Sequence, residues 1–202
     1  MTIALNASFS ELDAVNEMLL AIRERPVASL DAIDVLSEAG QALDLLRKES
    51  LALQARGKYF NTSIETLDQD VSNTLPLAVN VISVRSTDQT KNYMAYEGYL
   101  YDATNNTSTF TSSVELEIVR FMDFDSIPIE YRFYIAAMAG RKFEQRMRGT
   151  PEANQFTQES IVQRRAICMA LDSRQNRLNM LDSYRPGSIV DTRNNPFTGL
   201  VK

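Results

Sequence analysis

The spacing of apolar residues changes period twice along this chain, and that change limits the fold more than any other feature. Near the N-terminus, Ser8 with Glu11 three residues later makes a capping box. It opens a helix with Leu12, Val15, Leu19 and Ile22 at helical spacing, and Pro26 ends it. A second helix begins between Leu30 and Ile33 and runs to Gln54, carrying Ile33, Leu36, Leu43, Leu46 and Leu53, with Gly57 as its C-terminal cap. From Tyr59 to Phe121 the pattern turns to β-branched and aromatic runs, V-N-V-I-S-V at 79–84, Y-E-G-Y-L-Y at 96–101 and V-E-L-E-I-V-R-F at 114–121. Val114, Leu116 and Ile118 alternate with Glu115, Glu117 and Val119, which predicts a strand with one buried face. Polar hairpin connections are expected at 87–92 and 102–108.

Helical spacing returns after Asp123. Pro128 suits a first turn, followed by Tyr131, Tyr134, Ile135, Met138 and Phe143, and Gly149 closes the helix. Thr150, Pro151 and Glu152 open another, with a stripe of Phe156, Ile167, Cys168, Leu171 and Leu178. Tyr131, Phe133, Tyr134 and Phe143 read as core rather than as a base-stacking surface. The predicted fold is α+β. Helical hairpins at 1–57 and 122–181 build a bundle, a small antiparallel sheet is inserted at 58–121, and 182–202 form an extended arm.

That arm is unlike the rest. The run from Ser183 to Lys202 has two prolines, two glycines and two adjacent asparagines, so it cannot propagate a helix or a central strand. It nevertheless carries Tyr184, Ile189, Val190, Phe197, Leu200 and Val201, whereas solvating tails are depleted in such residues. An extended segment with apolar anchors is stabilised only by lying in a groove. Tyr184, Ile189, Val190, Phe197 and Leu200 are therefore the candidate docking residues.

Composition removes most chemistry. The chain has no histidine, which takes away the commonest general base, metal ligand and nucleophile partner. No glycine-rich phosphate loop occurs among its seven glycines, and no cofactor is expected. The single cysteine, Cys168, excludes an internal disulfide and reads as a small buried hydrophobe. No apolar run approaches a membrane span, and the N-terminus lacks a basic export region, so no membrane partner is expected. Carboxylates remain. Asp123 with Asp125, or Glu65 with Asp68 and Asp70, are the only local clusters that could flank a glycosidic bond, and turn formation, capping and solvated loop account for them better, so no enzyme is expected.

The net charge of −5 is unevenly spread. Residues 1–80 carry 6 Lys/Arg and 12 Asp/Glu, whereas 121–181 carry 9 and 7. Opposed helices of one domain, or neighbouring subunits, would use that complementarity. Arg141, Lys142, Arg146 and Arg148 are candidate basic residues for a channel or a subunit contact. Overall acidity argues against specific DNA reading.

Four segments together resemble the tail tubular protein A family, the head-to-tail adaptors of short-tailed podovirus bacteriophages. They are 12–30, A-R-G-K-Y-F-N at 55–61, G-Y-L-Y-D at 98–102, and the block from Ile118 through Glu152, which contains R-K-F-E-Q-R-M-R-G-T-P-E. Members commonly have a tryptophan after the Arg-Gly pair, where this chain has Lys58 and Tyr59, and the arm is the least similar region. The resemblance implies a structural virion protein, made in the host cytoplasm and located in the tail. It implies a ring of twelve copies between portal and nozzle proteins, with a central channel that passes double-stranded DNA without specific binding. An adaptor that also degrades polysaccharide is the alternative it implies.

Overall fold

The computed structural model describes residues 9–31, 33–88, 90–148 and 157–182. The expected cap at Ser8, the helix opening at Thr150 to Phe156, Gly149 and the whole arm lie outside them. Four helices and two small antiparallel sheets make a mixed α+β fold. Its elements are α1 (Glu11–Ala21), α2 (Glu38–Gln54), β1 (Thr62–Leu67), β2 (Val81–Ser86), β3 (Tyr93–Tyr96), β4 (Tyr99–Asp102), β5 (Val114–Arg120), α3 (Ile129–Arg148) and α4 (Gln158–Asp182).

The cap of α1 is Ser10, not Ser8. Its hydroxyl accepts the Asp13 N–H at 3.2 Å, and the Asp13 carboxylate accepts the Ser10 N–H at 2.9 Å. Starting there leaves Phe9 outside the helix, free to pack on the rings of Phe133 and Phe124 at 4.7 and 6.3 Å. The helix also ends before Pro26. The Glu24 N–H reaches the Leu19 carbonyl and the Arg23 N–H that of Leu20, a Schellman closure with Arg23 left-handed at φ 68°. Glycine is the usual occupant of that position, since a side chain there costs about 1 kcal/mol. Arg23→Gly should therefore raise stability by roughly 0.5–1 kcal/mol, read as a higher urea midpoint.

Helix α2 starts later than its apolar pattern predicts. Asp34 turns the chain, its carboxylate accepting the Leu36 N–H and its carbonyl that of Ser37, and Ser37 then caps the helix through the Gly40 N–H. Gly40 makes the tight approach possible: a Cβ there would lie 2.3 Å from the Asp34 carbonyl oxygen. Leu36 is consequently in the turn and 83% exposed rather than on the buried stripe.

Helix α3 sits at the centre of the bundle, against α1, α2 and α4. Tyr131, Ile135, Ala139 and Phe143 are fully buried on it, with Tyr134 nearly so, whereas Phe133, also expected in the core, is half-buried between Phe9 and the Arg164 guanidinium. On α4, Thr157 accepts the Ser160 N–H at the start of the helix, and Ile161, Cys168 and Leu171 face the core. Ile167 does not. It is 52% exposed, because only one side of α4 packs, and it lies about 100° around the helix from Cys168.

The β region holds its own apolar cluster, Leu75, Tyr93, Leu100, Phe110, Leu116 and Ile118. It contains two sheets rather than one: β1-β5-β2, and the hairpin β3-β4. The 87–92 segment thus links two sheets and closes no hairpin. The expected strand at 96–101 is instead a two-residue turn, with Glu97 and Gly98 both at positive φ (49° and 82°), as a hairpin turn between twisted strands requires. Leu116 and Ile118 are buried as predicted, but Val119 is buried too, on the opposite face near Gly57.

Candidate assembly surfaces

The A-R-G-K-Y-F-N segment joins the two regions. Gln54 ends α2 fully buried; its amide donates to Ser50 and to the Met122 carbonyl, and its side-chain oxygen accepts the Met122 N–H. Asn61 accepts the Lys58 N–H at 2.7 Å and donates to the Gln54 and Arg120 carbonyls. Tyr59 and Phe60 pack edge-on against Tyr131. Gly57, at φ 65°, allows the sharp exit from α2. Lys58 pairs with Asp172 of α4 at 2.9 Å. Beside this junction lies a cleft of about 650 Å³, walled by Arg56, Lys58, Ile64, Arg85, Glu117 and Asp172.

The uneven charge is used partly within the chain. Lys142 of α3 pairs with Glu49 of α2 at 2.5 Å and Arg164 of α4 acts on Glu17 of α1, whereas Lys58–Asp172 runs in the opposite sense. Burial pushes the Glu17 carboxyl up, and Arg164 opposes that. Lys142 is therefore paired within the chain, with its side chain still half-exposed. Arg141, Arg146 and Arg148 make no ion pair among the described residues. Helical spacing puts Arg141 with Arg148 on one face and Lys142 with Arg146 on another, so the four do not form one patch. The arm anchors Tyr184, Ile189, Val190, Phe197 and Leu200 lie outside the described residues.

Three of the five nominated carboxylates, Asp125, Asp70 and Glu65, are occupied structurally. Asp125 accepts the Glu11 N–H at 2.9 Å, capping α1 from a distant part of the chain, and Asp123 begins the short 3-10 turn Phe124–Ser126. Both line a cavity of about 360 Å³ with Arg47, which is held by Glu11 through two 2.9 Å hydrogen bonds. Asp70 accepts from Ser72 and Thr74 in a local turn that holds its carboxyl below the usual range. Glu65 is bound by Arg120 and Ser63, which hold its carboxyl down at about 2. A carboxyl ionised from that pH upward cannot protonate a leaving group near neutrality.

That ion pair has a pH signature. Glu65 is depressed below its unfolded value, so its stabilisation is complete above about pH 4.5 and is lost as pH falls toward 2. Both side chains are about a third exposed (28% and 36%), so solvent screening limits the effect to less than about 1 kcal/mol. Glu65→Gln should lower the urea midpoint at pH 6 and have no further cost at pH 2. High salt should shrink the difference.

Sequence reading missed the surfaces with the largest exposed apolar groups. Val71 and Val79 are fully exposed in the loop before β2, and Tyr96 and Tyr99 flank the hairpin turn at 55% and 43% exposed. Pro76 and Leu77 bond this loop to the hairpin through Tyr99 and Gly98. The polar connections at 87–92 and 102–108 are bonded internally: Asp88 to Thr90, and Asp102 to Thr104 and Asn105. Val162 and Met169 form a second exposed apolar strip, seven residues apart on α4.

Exposed apolar groups on separate faces, with the acidic clusters largely committed to caps and ion pairs, define a subunit built to assemble. The sequence model of the tail tubular protein family matches residues 12–178, and the chain belongs to that family. It is a structural component of a bacteriophage tail. Tail tubular protein A of Klebsiella phage KP34 is 27% identical to it over 126 residues, covering 62% of this chain and 67% of that protein. Among the described residues no helix is long and apolar enough to cross a membrane.

Proposed function

We propose that this chain is the adaptor of a short-tailed phage, forming a ring of twelve copies between the portal and the tail nozzle around a channel for double-stranded DNA. The observation that carries this reading is the family match across 12–178. A closed ring is a heterologous assembly in which each subunit offers different surfaces to its two neighbours. The exposed loop residues Val71 and Val79, the hairpin turn at Tyr96 and Tyr99, and the strip on α4 supply such separate surfaces. In this reading the helical parts, 1–57 and 122–181, form the ring body, 58–121 reaches a neighbour or the nozzle, and 182–202 docks outside its own chain. Arg141, Arg146 and Arg148 face a neighbour or the channel wall.

Native mass spectrometry tests this directly. A ring has a mass of about 270 kDa, twelve times 22.8 kDa, formed alone or on the portal. A chain that stays at 22.8 kDa with portal present rejects the reading. A ring of net charge about −60 should also hold DNA weakly, since phosphate contacts by Lys and Arg would retard its passage. Submicromolar, salt-dependent binding of duplex DNA by the ring would contradict that.

A further inference from the structure

We propose that the free edge of β1 is the seat of a strand supplied by a second copy of this chain, residues 188–192 of its arm. The inference rests on the ring reading above. In the order β1-β5-β2, β1 is an edge strand, and among the described residues nothing pairs with its outer side. Natural edges are blunted by lysine, proline or a bulge. The β1 sequence T-S-I-E-T-L has no lysine or proline, its register with β5 is regular, and Ile64 at its middle is 65% exposed.

The cleft beside this edge is suited to a short strand. Its cations Lys58 and Arg85 are matched by Asp172 and Glu117, which leaves Arg56 as one uncompensated positive charge. The Thr62 hydroxyl oxygen is buried with no hydrogen-bond partner. The run S-I-V-D-T at 188–192 offers complementary features: two β-branched apolar residues for Ile64, one negative charge in Asp191, and Pro186-Gly187 and Asn195-Pro196 to bound a strand of about five residues.

The arm leaves its own chain close to this edge, so neighbours packed side by side in a ring would bring one arm near the next copy's β1. Asp172 is in the cleft wall and α4 ends at Asp182, ten residues or about 15 Å further along. Ser188 follows six residues later, within about 20 Å of the helix end when extended. An added strand gains affinity from main-chain hydrogen bonds and specificity from alternate side chains, here Ile189 or Val190 against Ile64.

The test is a disulfide between separately substituted chains. Paired strands bring Cα atoms to about 4.5–5.5 Å, which suits a disulfide. Native Cys168 is buried and burial pushes its thiol up to about 11, so it contributes little background. Ile64→Cys chains mixed with Ser188→Cys, Ile189→Cys, Val190→Cys, Asp191→Cys or Thr192→Cys chains should give a covalent dimer at one or more of the five positions, competed away by excess arm peptide (residues 183–202). Ile64→Lys, on an exposed site, should weaken self-association at least tenfold while leaving the circular dichroism unchanged. Linkage found only within one doubly substituted chain overturns the inference, as does no linkage at any position while the wild type forms a ring. Linked dimers from a wild type that forms no ring would leave the seat standing and reject the ring.

Discussion

A chain ending at Asp182 is expected to keep its helical circular dichroism and melting temperature, to self-associate more weakly, and so to lose its attachment to the portal. The reason lies in the balance between anchors and ordering. Burying each of Ile189, Val190, Phe197 and Leu200 contributes about 1.5–3 kcal/mol. Ordering about 18 residues at roughly 1–2 kcal/mol each removes all of that gain for one arm acting alone. Pro186 and Pro196 lower the ordering cost, and backbone hydrogen bonds to a partner edge add to the gain. Docking should therefore be weak for one chain and secure only when neighbours cooperate. The described core closes without the arm: α3 already has its aromatic side covered by α1, α2 and α4. A truncated chain that melts many degrees lower would show a self-packing tail, and one that assembles normally would show a dispensable one.

Asn61→Ala should be the most damaging single substitution at the junction, at about 2–4 kcal/mol. The Asn61 side chain is 5% exposed and holds three main-chain groups: the Lys58 N–H, and the carbonyls of Gln54 and Arg120. Alanine would leave the part-buried Lys58 N–H and Arg120 carbonyl without that partner and the buried Gln54 carbonyl with the Gly57 N–H alone. Each such loss costs about 1 kcal/mol or more. In a domain whose total stability is about 5–15 kcal/mol this is a large share, and the melting temperature should fall by roughly 5–15 °C. Asn61→Asp keeps the acceptor for Lys58 but sets a carboxylate against two carbonyl oxygens, so it should be no better. Thr66→Ala, on the exposed side of β1, is the control and should change the midpoint little. If Asn61→Ala melted with the wild type, the junction would not hold the sheet to the bundle as described.

The helices were legible because apolar residues repeat strongly on them: Tyr131, Ile135, Ala139 and Phe143 of α3 are all buried. Their ends were harder to read. Ser8 and Ser10 each have an acid three residues on, and only the ring contacts of Phe9 with Phe124 and Phe133 select the second. The start of α2 was hidden because Leu36 fits a helical stripe, while the turn that excludes it depends on Asp34 and on the missing side chain of Gly40. In the β region, Glu-Gly is a weaker turn signal than Asn-Gly, so the β3-β4 hairpin read as one strand. Periodicity also cannot show which strands pair across 47 residues, and that is how β5 comes to lie between β1 and β2. Of the candidate site, the arm and the acidic clusters could be named from sequence. The exposure of Val71 and Val79, and the pairing of Lys142 with Glu49, are properties of the folded arrangement alone.

Electron microscopy of the full chain mixed with the portal of its own phage addresses the central claim most directly. Twelvefold averages with an additional ring of density below the portal, enclosing a channel wide enough for duplex DNA, are the predicted result. Portals that remain bare, or density attached without a closed ring, would contradict it.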